Sequence, residues 1–85
     1  MTNTFYQVIE EFNPRKEYPV HIRNQIANCL SLMKKDEQFR TFDFARKHQG
    51  KLSPKNKFDT AKYVVIHSLR IARKIGMVKQ VKAVL

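Results

Sequence analysis

The chain has few of the residues that break or staple a backbone: two glycines, three prolines and one cysteine in 85 residues. So little glycine and proline excludes a flexible linker or a low-complexity segment. A lone Cys29 excludes an intramolecular disulfide framework. No stretch approaches the ~20 apolar residues needed to span a bilayer. The opening MTNTFYQVIEEF lacks a basic region ahead of an apolar run, so it does not read as a secretory signal. A reducing location is expected, cytoplasmic, or nuclear in a eukaryotic cell. The most telling scarcity is acid. From residue 46 onward there is one acidic residue, Asp59, against eleven lysines and arginines, whereas residues 1–45 carry six of each sign. The whole net charge of +10 therefore belongs to the second half.

What is present can fold. A hydrophobic content of 42% with nine aromatics is too rich for a disordered basic tail. Eighty-five residues make one domain with a small core, burying about 60–65% of the unfolded surface. Within that domain, residues 1–38 read as scaffold and residues 39–85 as the basic portion.

Phe5, Val8, Ile9 and Phe12 fall at i, i+3, i+4 and i+7, which predicts a short helix capped by Thr2, Asn3 or Thr4. Asn13-Pro14 ends it. Pro19 suits the first turn of a second helix running to about Lys35, with Ile22, Ile26, Cys29, Leu30 and Met33 as its apolar stripe. Asp36-Glu37 reads as a solvated turn. Phe39–Phe42 reads as a brief strand leading into a helix from Phe42 to about Gln49, with Gly50 as its C′ residue and Lys51-Leu52 as a turn.

Ser53-Pro54 has the form of a cap followed by proline at the first helical position. From Pro54 to Ile75 one arc collects Phe58, Ala61, Val64, Val65, Ser68, Leu69, Ile71, Ala72 and Ile75. The other collects Lys55, Asn56, Asp59, Lys62, Tyr63, Ile66, His67, Arg70, Arg73 and Lys74. Asp59-Thr60 offers an alternative cap, which would leave Pro54–Lys57 as a turn. Gly76 stops the helix, and Met77–Leu85, rich in β-branched residues, predicts a terminal strand. Tyr63 and Ile66 interrupt the basic arc and are expected to be buried under the N-terminal helix.

The order from Thr41 onward is short helix, glycine turn, Ser-Pro cap, longer helix, then Gly-Met-Val entering a strand. In this order the sequence resembles the winged helix-turn-helix family of DNA-binding domains, with Leu69, Ala72, Ile75, Gly76, Met77 and Val78 fitting the run from recognition helix into wing. The resemblance implies a mainly α fold of four helices with a short C-terminal strand and a truncated wing. It places the recognition helix in the major groove with its N-terminal residues at base edges. Those residues would be Lys55, Asn56 and Lys57, with Lys62 one turn on. Arg46, Lys47 and Lys51 would flank them on phosphates, and Lys79 and Lys82 would hold the adjacent backbone from the wing. Arg70 and Arg73 complete the candidate surface on the basic arc.

DNA is thus the expected partner, with RNA as the other candidate. The competing class is a small phage- or plasmid-type modulator that binds a protein through the basic face, or through an N-terminal apolar face built on Phe5, Tyr6 and Phe12. That apolar face is also the candidate dimer surface. Neither a catalytic signature nor a cofactor or metal motif is present, since His21, His48 and His67 lack ligand spacing with each other or with Cys29. A basic ribonuclease has no general base in a suitable context. Membrane-surface binding would take the apolar arc that so small a domain needs for its core. Small-molecule substrates have no visible site.

Overall fold

The computed structural model describes residues 4–82. Its first element corrects the expected N-terminal helix: Thr4–Val8 is a strand, β1. The apolar spacing runs on to Phe12, and over the five residues of the strand it holds too few positions to fix a period; an isolated helix of that length is marginal in water. A strand here has partners on both sides. β1 pairs antiparallel with β2 (Gln38–Phe39), Tyr6 opposite Phe39, and with β3 (Val78–Lys82), Val8 opposite Val78 and Phe5 opposite Val81. It is the central strand of a three-stranded sheet of order β2-β1-β3. The possible caps Thr2 and Asn3, and the last residues of the predicted strand, 83–85, lie outside the described residues. Asp36, in the left-handed region at φ 67°, makes the tight turn into β2, and its N–H donates to the Val8 carbonyl at 2.9 Å.

Four helices make up the rest: α1 (Asn24–Ser31), α2 (Thr41–Lys47), α3 (Gln49–Leu52) and α4 (Phe58–Lys74), the first three packed on α4, which itself meets β3. The expected second helix, Pro19 to Lys35, is half its predicted length. Residues 9–23 are irregular, held in part by Phe12 stacked on Tyr18 at 5.4 Å and by the Asn13 N–H donating to the Tyr18 hydroxyl at 3.0 Å.

The expected mainly α, winged helix-turn-helix-like architecture is corrected by these elements. The fold is mixed α/β, with an antiparallel sheet whose middle strand comes from the N-terminus. The sequence reading missed it because the pairing of β1 joins segments more than thirty residues apart, beyond any local periodicity.

Gly50 is a second correction. It lies inside the single turn of α3, and His48 is the C-cap of α2. Gly76 behaves as expected, at φ 76°. Its N–H donates to Arg73 and that of Met77 to Ala72 (3.3 and 2.8 Å), the paired bonds that close a helix through a left-handed residue.

α4 is the spine of the molecule. Ala61, Val64, Val65, Ser68, Leu69 and Ala72 are buried along one side, as the apolar arc predicts. They meet Ile26, Cys29 and Leu30 of α1, Phe44 and Ala45 of α2, and Val8, Phe39, Met77 and Val78 from the sheet side in one core. The buried Ser68 hydroxyl donates to the Val64 carbonyl at 2.7 Å, so its polar atom is satisfied within the helix. Among the described residues no helix is long and apolar enough to cross a membrane.

Candidate nucleic-acid interface

The eleven predicted contact residues do not form one site. Lys55, Asn56 and Lys57 precede α4 and are not its first turn, a correction to their expected role at the start of a recognition helix. Ser53 caps this turn: its hydroxyl accepts the Lys57 N–H at 2.9 Å, while Gln49 Nε2 donates to the Asn56 carbonyl at 2.7 Å. Asn56 sits at φ 54°, a conformation asparagine tolerates. Lys51, on α3, lies beside this loop in the chain, and Asn28 donates to its carbonyl from α1 at 3.3 Å. Lys62 follows one turn into α4. Arg70 and Arg73 stand roughly 12 and 17 Å further along the helix, at about 1.5 Å of rise per residue.

Two predicted cations are engaged within the protein. Arg46 lies over the rings of Phe58 and Phe42, 4.3 and 5.3 Å from their centroids. Lys47 pairs with Glu37 at 3.8 Å. Strand alternation separates the remaining two. Lys82, opposite Thr4, shares the helix-side face of β3 with Val78, and Lys79, opposite Gln7, is on the other face.

Three cations converge on an open cleft of about 540 Å3 between the C-terminal half of α4, β1 and the start of α2. Arg70, Arg73 and Lys74 line it, together with Tyr6, Thr41 and Ile66, and no carboxylate does. Neither ion pair found among the described residues involves the three cations. Lys74 lies on the predicted basic arc, whereas Tyr6 and Thr41 had no signal linking them to it; the sheet brings them there.

Tyr63 and Ile66 are exposed, 65% and 40%, which overturns their expected burial under an N-terminal helix. In place of that helix stands the strand β1, whose Tyr6 lines the same cleft as Ile66 and leaves it 40% exposed. Tyr63 instead touches His67 edge-on at 4.3 Å. Phe42, 51% exposed, rests against Phe58 at 4.7 Å.

Comparison with known proteins finds no matching family model, no matching curated protein and no matching solved structure. The class that fold and site define is accordingly a structural one: a small mixed α/β domain whose long helix presents cations and apolar side chains together.

Proposed function

We propose that this is a small, non-enzymatic nucleic-acid-binding protein that grips phosphates through the outer face of α4 and its adjoining cleft. The observation that carries the reading is the cleft itself. Three cations line it without a carboxylate among them, on the half of the chain that holds all of the net charge. Guanidinium groups suit phosphate oxygens because their paired donors match them in geometry. The preference for duplex DNA rested on the winged-helix architecture; without that fold the charge supports nucleic acid as a class. The reading places the protein in the cytoplasm, or the nucleus of a eukaryotic cell.

Phosphate contacts release counterions, so log K falls linearly with log salt. The expected outcome is salt-sensitive binding of labelled oligonucleotides. The double reversal Arg70→Glu, Arg73→Glu should lower the salt slope by about two and weaken binding far more than Lys34→Glu, Lys35→Glu. Equal effects of the two pairs would place the site elsewhere. No binding of DNA or RNA at low salt would leave a protein partner, met through Tyr63 and Ile66, as the better reading.

A further inference from the structure

A second cavity, of about 760 Å3, adjoins the cationic cleft, and Tyr6 and Thr41 line both. The two are shallow depressions that meet at these side chains and present unlike ends. One end carries Arg70, Arg73 and Lys74. The other carries Phe42, Gln80 and the ion-paired Arg40 and Asp43. Phe42 is about half exposed, and its ring lies against Phe58 and Arg46. Gln80 offers a donor and an acceptor, and Asp43 offers acceptors while also holding Arg40 at 2.9 Å.

A ligand complementary to both ends is anionic at one side and flat, with hydrogen-bonding edges, at the other. A nucleotide has that form. In a duplex the base is stacked and its pairing edge is occupied, so its face cannot reach Phe42 while its phosphate lies at the cationic end. The geometry points to a site for an unpaired nucleotide of a DNA or RNA single strand. Its phosphate lies against Arg70, Arg73 and Lys74, its base against Phe42, with Gln80 and Asp43 at the base edge. The assignment rests on the nucleic-acid reading and narrows it to single strands.

The test compares labelled oligo(dT), oligo(rU) and a DNA hairpin duplex of equal length at one salt concentration, using the intact protein. Single strands should bind at least about tenfold tighter than the duplex. Base–aromatic stacking implies that Phe42→Ala weakens single-strand binding by about five- to a hundredfold and leaves duplex binding within about twofold. Phe42→Trp should restore the affinity, and because the chain has no other tryptophan, its fluorescence should quench with oligo(dT) and not with inorganic phosphate. This second variant keeps the test decisive where Phe42→Ala fails to fold. Equal and unequal dT and rU affinities both support the site provided the Phe42 effect holds, since the two strands differ in the thymine methyl as well as in the 2′-hydroxyl. Binding that survives Phe42→Ala unchanged but is lost on reversing Arg70 and Arg73 overturns the nucleotide site and leaves the nucleic-acid reading standing. No binding of any oligonucleotide at low salt overturns both.

Discussion

His48 sits in a setting that its place in the sequence does not announce. It caps α2, its ring lies 4.5 Å from that of Phe44, and its Nε2 is buried without a protein partner. Burial holds the imidazole below its ordinary range of about 6.5; Lys47 and Lys51 push the same way and Glu37 opposes them. The unfolded chain consequently binds a proton that the folded chain resists. Stability is expected to fall as the pH drops below about 6.5 and to level off below the folded value. Denaturation midpoints between pH 7.5 and 5 should show a steeper fall for the wild type than for His48→Gln; parallel curves would exclude His48 as the cause. Cys29, by contrast, is what its place on an apolar stripe predicts, a small buried core residue. Burial pushes its thiol up to about 11, against a smaller opposing pull from Ser68, which leaves it protonated at neutral pH.

The two glycines separate local signals that succeed from those that fail at the scale of the element. Gly76 needs the left-handed region to turn the chain from α4 into β3, and no atom lies within 4 Å of the position its Cβ would take. Gly76→Ala should therefore cost about 1–2 kcal/mol through backbone strain alone. A Cβ on Gly50, inside α3, would stand 3.7 Å from Asn56 Oδ1, an ordinary contact. Gly50→Ala should be neutral or stabilising by up to about 1 kcal/mol. Urea denaturation of the two variants checks the opposite signs. The long apolar arc of α4 was legible because seventeen residues give nearly five turns of consistent spacing. The start of α4 was legible as one of two alternatives: Ser53-Pro54 has the form of a helix start, but Pro54–Lys57 is the turn that a later start implies, closed by the Ser53 hydroxyl, and α4 begins at Phe58. The strand β1 was hidden for a different reason: its partners are remote in sequence.

For the whole molecule, charge and stability act against each other. A net charge of +10 on 85 residues repels itself in the compact state, and the described residues hold only two ion pairs. Salt screens that repulsion, so folding stability should rise between about 10 mM and 300 mM salt as the Debye length falls. Oligonucleotide affinity should fall over the same range. Thermal melts and binding titrations in one salt series test the opposition. A stability that is flat or falling would mean that the cations are already compensated within the fold.

The sequence by itself determined the asymmetry of charge, the apolar and basic arcs of α4, the stop at Gly76 and the inert core position of Cys29. Each of these depends on neighbours within a few turns of chain. Tertiary structure decided that Thr4–Val8 is a central strand, that Tyr63 is exposed, and that Lys55 and Arg73 lie far apart. It also decided that Tyr6 and Thr41 complete the cationic cleft. Those outcomes depend on hydrogen-bond partners and packing surfaces supplied from distant segments, and a strand's choice of partner is not written in its own residues.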